Sequence, residues 1–293
     1  MSEMPTVQVA GVYHRRVGDL TITALSDGYL SGDVDIMRNI DYADARALLA
    51  QHFNANRCTH INTFIVRNGA RLALIETGAG DYMQASAGKM LANMKAANID
   101  PLTIDTVLLT HMHPDHSAGL FNMVSQSQNF PNAELVVHEN EPKHWLNDAE
   151  MERADERGKR LYFQATREQI APYKKQTRLF SKQSEVFPGI HAIHAFGHTP
   201  GHCCYLVESN GQSLLIWGDT VHVPEIQLAR PEVAIAFDSD IETAIRTRKR
   251  IFDMAASEKM LVAGMHLHFP AFSHLALEKE GYRLYAEPWR FDL

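Results

Sequence analysis

Cysteine, long apolar runs and clustered basic residues are all scarce in this sequence of 293 residues. The three cysteines are Cys58, Cys203 and Cys204. Because neighbouring residues of a strand point to opposite faces, Cys203 and Cys204 do not indicate a disulfide framework. A reducing compartment is the natural inference, and we expect a cytoplasmic protein, or a periplasmic or secreted one if a signal peptide has been removed.

The other two absences exclude two kinds of partner. No apolar run is long enough to span a bilayer, and residues 1–16 contain no apolar segment of the signal-peptide kind, so no membrane contact is predicted. The formal net charge is -7, and the short basic stretch 246–250 is interpreted as the solvated face of a helix. Since phosphate binding requires a clustered Lys/Arg surface, nucleic acid is not the expected partner.

The composition is that of an ordinary globular protein, with 45% apolar and 22% charged residues. The length suits one large α/β unit, so residues 1–293 are predicted to form a single domain with a helical, aromatic-bearing insert at about 140–182. The residue patterns predict a strand within 17–36 that reaches a turn at 26–28, helices at 41–52, 83–97 and 241–256, and strands at 60–66, 72–75, 106–109, 133–138, 190–195, 213–217 and 260–263.

The most distinctive stretch is 110–119, where His111, His113, Asp115 and His116 follow an apolar strand. His111 and His113 are two residues apart, so they leave an extended chain on one side, where two imidazoles can bind one ion. The intervening proline forces a turn, which directs Asp115 and His116 toward a neighbouring position. A polar surface loop is the simpler alternative, but four metal-capable side chains after one strand favour a loop that binds two metals.

Three further strand ends carry metal-capable side chains. His198 follows a glycine and precedes a proline and glycine that turn the chain, as in the first loop. Asp219 ends the apolar strand 213–217. A buried carboxylate is costly unless it is paired or bound to metal, so Asp219 is a candidate metal ligand. His266 and His268 compete for one more ligand position near the end of the chain.

These motifs, HxHxDH, GHTPGH, GDTVH and HLHFP in this order, resemble those of the metallo-β-lactamase superfamily of metallohydrolases. The segments TALSDG, HMHPDH, GDTVHV and FDSD are similar to the methyl parathion hydrolase branch, which is related to lactonases. The resemblance implies an α/β fold, the αββα four-layer sandwich, with metals at one edge. It also implies that His111, His113 and His198 bind one metal, and Asp115, His116 and His266 the other, with Asp219 as the bridge.

Three positions qualify the resemblance. Glu76 stands where the superfamily usually has an aspartate that supports the metal ligands. His202, the last residue of GHTPGH, is expected to support the site rather than to bind metal. His222 stands where related acyl-homoserine lactonases often carry a tyrosine that polarises the substrate.

The resemblance implies a dinuclear hydrolase. Two divalent ions, zinc by default with manganese, cobalt or iron as alternatives, would share a hydroxide that attacks a carbonyl or phosphoryl centre. Asp115, Asp219 and His222 are the expected catalytic residues, with His222 stabilising an oxyanion or protonating a leaving group. We expect a small, uncharged, partly apolar substrate: a lactone or aryl ester, with methyl parathion-like phosphotriesters as an additional activity.

The aromatic insert is expected to build the substrate pocket. Trp145, Tyr162 and Phe163 are the candidate pocket residues within it, and His274 is a candidate for the pocket mouth. The alternative is that the three aromatic side chains only anchor the helices of the insert.

Two other functional classes remain open at this point. A mononuclear iron oxidoreductase of the persulfide dioxygenase type uses a similar histidine loop, but Asp115, His116 and His266 would then have no second metal to bind. A non-catalytic metal-binding protein would be expected to lack some ligands, and none is missing. A homodimer is expected from the family resemblance.

Overall fold

The computed structural model describes residues 4–293, and these contain eighteen strands and nine α-helices. The strands are β1 (Val12–Val17), β2 (Leu20–Gly32), β3 (Met37–Arg38), β4 (Arg57–Asn68), β5 (Arg71–Ile75), β6 (Thr106–Leu108), β7 (Phe121–Asn122), β8 (Ser127–Gln128), β9 (Glu134–His138), β10 (Thr177–Phe180), β11 (Glu185–Phe187), β12 (Ile190–His194), β13 (Cys203–Ser209), β14 (Gln212–Ile216), β15 (Ala234–Ile235), β16 (Leu261–Ala263), β17 (Phe272–Leu277) and β18 (Tyr282–Ala286).

Most of the α-helices are short. They are α1 (Tyr42–Gln51), α2 (Met90–Ala96), α3 (Pro114–Ser117), α4 (Asn140–Trp145), α5 (Asp148–Arg153), α6 (Glu156–Gly158), α7 (Ala165–Ile170), α8 (Pro224–Gln227) and α9 (Ile241–Ser257). Residues 159–164 form a π-helical turn between α6 and α7. No helix among residues 4–293 is both long and apolar enough to cross a membrane.

Two seven-stranded sheets form the centre of the molecule. Their strand orders are β1-β2-β4-β5-β6-β9-β10 and β11-β12-β13-β14-β16-β17-β18. One apolar core joins their facing sides; for example, the rings of Phe64 in β4 and Phe272 in β17 lie 5.9 Å apart. Alternate residues of the strands face this core, as expected for a pleated sheet with one face turned inward.

Helices cover the outer faces of both sheets. Met90 and Met94 of α2 pack with Leu74 and Val107 on the outer side of the first sheet. Ile251 and Phe252 of α9 pack on the second sheet, since the apolar residues of α9 fall on one side. The αββα sandwich predicted from the sequence is confirmed.

Two local predictions are wrong. The helix expected at 83–97 covers only Met90–Ala96, because the residues before it form a loop in which Gly88 has φ +78. The backbone N–H groups of Gly88 and Met90 donate to the carboxylate of Asp27, which holds this loop open. The turn expected at 26–28 is instead a β-bulge within the continuous strand β2, opposite Asn62 and Ile61 of β4.

The strand directions bring the motif loops to one edge of the sandwich. β5, β6 and β9 are parallel to one another, and β14 is parallel to β16. The carboxyl ends of β6, β14 and β16 lead into the loops that contain His111, Asp219 and His266, and the loop from β12 to β13 contains His198. The segment between β9 and β10 folds into α4 to α7, which lie beside these loops.

Candidate metal centre

The loop after β6 presents four metal-capable side chains from a tight turn. His111 is fully buried, and Pro114 begins α3 with His113 as the residue before the helix. Proline is favoured at this first helical position because its missing N–H would be unpaired there. The turn places Asp115 and His116 on the first turn of α3, so the two pairs of side chains point to different places.

One group of ligand-capable atoms surrounds Oδ2 of Asp219. This oxygen lies 3.5 Å from Nε2 of His111 and 3.2 Å from Nε2 of His198. Nδ1 of His113 lies 3.0 Å from Nε2 of His198. These four residues form a cluster that could hold one metal ion.

A second group surrounds the other oxygen, Oδ1 of Asp219. This atom lies 3.2 Å from Nε2 of His116 and 3.2 Å from Nε2 of His266. Oδ2 of Asp115 lies 3.6 Å from each of the same two nitrogens. Asp115, His116 and His266 therefore form a second cluster, next to the first and joined to it by Asp219.

The separations and the unpaired atoms suit metal ions. Four ligands arranged tetrahedrally at ~2.0–2.1 Å from zinc are separated from one another by roughly 3.3 Å, as the atoms of both groups are. Nε2 of His111, His116 and His266 and Oδ1 of Asp219 are buried without a hydrogen-bond partner among the described residues. Buried polar atoms are rarely left unpaired, so this set of atoms fits two divalent cations.

The carboxylates and imidazoles of the two groups shift one another's pKa values. Burial opposes ionisation of Asp219, but the histidines around it, His116 first, hold its pKa well below the ordinary value. Burial likewise opposes protonation of His198, yet its hydrogen bonds to Asp219 and Asp238 raise its pKa to about 9. Asp219 is thus held in its ionised form, which binds a cation, whereas His198 would have to lose its proton on binding a metal.

Three neighbouring residues orient the ligand-capable side chains. Oδ1 of Asp238 lies 2.9 Å from Nδ1 of His198, and Oε2 of Glu76 lies 3.4 Å from Nδ1 of His116. The backbone N–H of Asp219 donates to Nε2 of His202, at 2.9 Å. Hydrogen bonds of this kind fix the ring orientation and tautomer of metal-binding histidines. Glu76 thus occupies a supporting position in spite of its extra methylene, and His202 supports the site, as expected.

The glycine before Asp219 is required by this arrangement. Gly218 has φ +56, and a Cβ at this position would lie 2.3 Å from Nε2 of His202. A larger residue would both strain the backbone and displace the histidine. The glycine therefore allows the strand end to approach His202 closely enough to fix Asp219.

Glu141 connects the two histidine loops. Its Oε2 accepts hydrogen bonds from the backbone N–H of Met112 and from Nε1 of Trp145, each at 2.8 Å. Its Oε1 accepts from Oγ1 of Thr199 at 2.6 Å and from the N–H of Gly201 at 2.8 Å. Met112 lies between His111 and His113, and Thr199 follows His198, so one buried carboxylate holds both loops. Sequence reasoning missed Glu141, and its position on a charged helical segment offered no signal.

A cavity of about 310 Å³ opens over the two clusters. His222 lies at its floor, with Nε2 2.8 Å from Oδ2 of Asp219 and its ring 5.0 Å from that of His266. Tyr162 forms part of the wall, with its ring 4.8 Å from that of His113. The other lining residues are Leu30, Ile36, Arg57, Thr59, Tyr82, Met83, Gln84, Pro114, Asp115, Arg157, Leu161, His198 and Phe237.

The structure places three of the four predicted pocket residues away from this cavity. Trp145 and Phe163 are buried and pack against each other, 5.0 Å between ring centroids, so they anchor the helices of the insert. Trp145 also contacts the ring of His113, at 5.2 Å. His274 lies in β17 with Nδ1 near the carbonyl of Met260, and it borders a separate surface depression. Of the four, only Tyr162 lines the cavity, because its neighbour Phe163 in the same π-helical turn points into the core.

The structure also separates His266 from His268. His266 faces Asp219, whereas His268 is half exposed and pairs with Glu225, at 2.8 Å. Asp238, which orients His198, lies in the FDSD segment that was noted only for its likeness to a family branch. Sequence reasoning also missed Arg57, which lines the cavity, although its place at the start of strand β4 is visible in the sequence.

The sequence of this chain is similar to those of known proteins. The family model of the metallo-β-lactamase superfamily matches residues 56–266. Among curated proteins, the chain is 26% identical over 161 residues to an atrochrysone carboxyl ACP thioesterase of Passalora fulva, and 22% identical over 216 residues to that of Claviceps purpurea. These alignments cover 55% and 72% of this chain but only 38% and 57% of the two relatives.

Two solved structures are similar over nearly the whole chain. The hydrolase AbOPH of the β-lactamase superfamily is 32% identical, with a TM-score of 0.89 over 97% of this chain and 100% of that one. The dizinc quorum-quenching lactonase AidC is 22% identical, with a TM-score of 0.90 over 96% of this chain and 99% of that one, a likeness of fold. Because the family model covers most of the chain, the chain belongs to the metallo-β-lactamase superfamily, and its His/Asp clusters lie at the edge of the sandwich, where they could hold metal ions.

Proposed function

We propose that this protein is a dinuclear hydrolase of lactones or aryl esters, with hydrolysis of methyl parathion-like phosphotriesters as an additional activity. The observation that carries the proposal is the division of Asp219 between two groups of histidines, one at each carboxylate oxygen. A mononuclear site would need only one of these groups. The proposed metal ligands are His111, His113, Asp115, His116, His198, Asp219 and His266.

The proposed metal is zinc, which imidazole and carboxylate ligands suit. When bound, a pair of such ions supplies a water of lowered pKa and polarises the oxygen of the substrate. His222 lies at the cavity floor and can donate a ring N–H to an oxygen that gains negative charge. The Tyr162 hydroxyl, whose pKa is raised by burial, remains protonated and is a second donor in the wall.

The shape and lining of the cavity support an ester or lactone of modest size. Leu30, Ile36, Met83, Leu161 and Phe237 supply apolar walls that can hold an acyl or aryl group away from water. The cavity volume of about 310 Å³ falls at the lower end of the range for small-molecule sites. The relatives' names point to the same class of reaction, since a lactonase and a thioesterase both transfer an acyl group to water by attack at the acyl carbonyl carbon.

Metal analysis of the purified protein, combined with hydrolysis assays, tests this proposal. The protein is reconstituted with zinc, manganese or cobalt and assayed with an aryl lactone, an acyl-homoserine lactone, an aryl ester and a phosphotriester. We expect close to two metal ions per chain and turnover of the lactones or the aryl ester. One iron per chain without hydrolysis of any of the four would overturn the proposal in favour of an oxidoreductase.

The proposal extends to the assembly. We propose that the chain is one domain and forms a homodimer, as expected from the family resemblance. Light scattering of the metal-loaded protein is expected to give twice the chain mass of 33.0 kDa. A mass of one chain at micromolar concentration would contradict the dimer without affecting the proposed chemistry.

A further inference from the structure

Arg57 lines the cavity without a carboxylate partner. It is the first residue of β4, and it borders the cavity together with Thr59 and Asp115. Its Nη1 donates to Oγ1 of Thr59 at 2.7 Å, and its Nε donates to the carbonyl of Asp33 at 3.3 Å. None of the ion pairs formed among residues 4–293 includes Arg57.

The guanidinium of Arg57 has unused hydrogen-bond donors, and its partial burial costs free energy. Of the five N–H groups of an arginine, the two bonds above use two, so three are free to meet a ligand. Burial lowers the pKa of Arg57, and the carboxylates of Asp35 and Asp115 act on it only from beyond ion-pair distance. An anion bound to the free donors would offset the cost of burying this cation.

The chain keeps space for this side chain. Gly32 lies opposite Arg57 in the β2–β4 ladder, and a Cβ on Gly32 would lie 2.4 Å from Nη2 of Arg57. Gly32 does not have a positive φ, so the backbone does not require a glycine here. The glycine therefore permits the guanidinium to lie where it does, and an alanine here would make the end of the Arg57 side chain move.

The other charges of the cavity leave Arg57 available to an incoming anion. Asp115 and Asp219 are the carboxylates that line the cavity, and both belong to the proposed metal ligands. Arg157, an exposed side chain, adds a second cation to the lining. An anionic substrate would thus meet two arginines and no carboxylate that is free of the metal clusters.

We propose that Arg57 binds a carboxylate on the acyl part of the substrate. The planar guanidinium matches a carboxylate with two parallel hydrogen bonds, which a neutral ester chain cannot offer. This inference rests on the proposed hydrolase function and narrows it to esters or lactones whose acyl part carries an anionic group. It departs from the uncharged substrate that composition and family resemblance favoured.

Two aryl esters with five-carbon acyl chains test the proposal: p-nitrophenyl pentanoate and the mono-p-nitrophenyl ester of glutaric acid. The measured quantity is the ratio of kcat/KM for the glutarate ester to kcat/KM for the pentanoate ester. We expect a wild-type ratio of about ten or more, since a hydrogen-bonded charge pair contributes about tenfold or more. Arg57→Gln should reduce this ratio to about one, and Arg57→Lys should give an intermediate ratio.

Two further variants separate the guanidinium from the general loss of a charge. Gly32→Ala keeps Arg57 but displaces its guanidinium, so this variant should also lose the preference for the glutarate ester. Arg67→Gln removes an exposed arginine at the opposite end of β4 and should keep the wild-type ratio. Circular dichroism and the melting temperature of each variant establish that it is folded.

The outcomes distinguish this inference from the proposed function. Hydrolysis of both esters by the wild-type protein with equal kcat/KM would overturn the role of Arg57 and leave the hydrolase intact. Retention of the ratio by Arg57→Gln would assign Arg57 only to its bonds with Asp33 and Thr59. If neither ester is hydrolysed, calorimetric titration of the zinc-loaded protein with glutarate and with pentanoate decides: glutarate should bind about tenfold more tightly to wild type alone, and equal affinities would overturn the inference.

Discussion

At the scale of single residues, Asp219 approaches four of the other proposed metal ligands through its two carboxylate oxygens. Its two oxygens face His111 and His198 on one side and His116 and His266 on the other. It follows the buried strand β14, and its own N–H donates to His202. The carboxylate is therefore fixed in place before a cation binds, which reduces the cost of ordering it on binding.

Asp219→Ala is expected to reduce the metal content from two ions to one or none per chain. Hydrolysis should fall by about a thousandfold or more, since the chemistry depends on both ions. Elemental analysis and kcat/KM for an aryl ester measure the two effects. Asp41→Ala is the control, because Asp41 is exposed and makes no side-chain cap bond. Two retained ions with full activity in Asp219→Ala would show that the carboxylate is not a bridge.

The neighbouring histidines His266 and His268 offer a matched pair of substitutions. His266→Ala is expected to remove one of the two metal ions, because its Nε2 faces Asp219 and Asp115. His268→Ala should retain both ions, since His268 pairs with Glu225 outside the clusters. Metal content per chain decides between them, and the reverse pattern would exchange the two assignments.

At the scale of elements, α4 holds the two histidine loops together through one side chain. Oε2 of Glu141 accepts from Met112 in the β6 loop and from Trp145 of α4 itself, and Oε1 accepts two bonds from the loop between β12 and β13. The two loops belong to different sheets. Glu141 thus couples the ends of both sheets at the point where the histidines must meet.

Glu141→Gln is expected to destabilise the protein by roughly 2–4 kcal/mol, because its amide N–H groups would face two buried donors and leave them unpaired. Metal affinity should fall as well, by about 10- to 100-fold, since the loops carrying His113 and His198 lose a shared support. Urea unfolding and competition with a chelator measure these effects. Glu139→Gln, at the exposed residue that precedes α4, two positions before Glu141, should have neither effect. An unchanged metal affinity in Glu141→Gln would restrict Glu141 to a role in stability.

Two of the predicted elements show where the local sequence pattern failed to predict the structure. The helical spacing of Met90 and Met94 correctly indicated α2, but the first seven residues of the predicted helix form a loop around Asp27. Asp27 itself lies in the bulge that a Ser-Asp-Gly sequence made look like a turn. In both cases contacts with distant segments override a local preference. The N–H of Gly88, for example, donates to the carboxylate of Asp27, 61 residues earlier in the chain.

At the scale of the whole molecule, two packed sheets place four distant loops within a few ångströms of one another. His111, His198, Asp219 and His266 come from four separate loops, of which the first follows a strand of the first sheet and the other three follow strands of the second. Bound metal would then link both sheets. Folding and metal binding should be coupled in such a protein, because the unfolded chain has no preformed site.

Removal of metal by a chelator is expected to abolish hydrolysis and to lower the melting temperature by at least about 5 °C. The estimate follows from ~2.7 kcal/mol of stabilisation at a hundredfold excess of metal over Kd. Differential scanning calorimetry before and after dialysis against dipicolinate measures it, and added zinc should restore both properties. A melting temperature that does not change on chelation would mean that the clusters contribute nothing to the stability of the sandwich.

The order of the motifs was sufficient to predict the family, the αββα fold and the identity of the cluster residues. Each motif is local: a strand end, a histidine or aspartate, and a glycine or proline that turns the chain. Side-chain chemistry and spacing of that kind are properties of the sequence itself, and they determine which residues can bind a metal. The structure brings together all seven residues that were predicted as metal ligands.

The tertiary structure alone decided what supports and surrounds those residues. Asp238 bonds His198, 40 residues away in the sequence, and Glu141 bonds Thr199, 58 residues away. Arg57 lies against Gly32 on the neighbouring strand. Trp145 and Phe163 face the core rather than the cavity because of how the insert packs. Hydrogen-bond partners, cavity walls and unpaired charges arise only when distant segments pack, so the local spacing of residues in the sequence does not predict them.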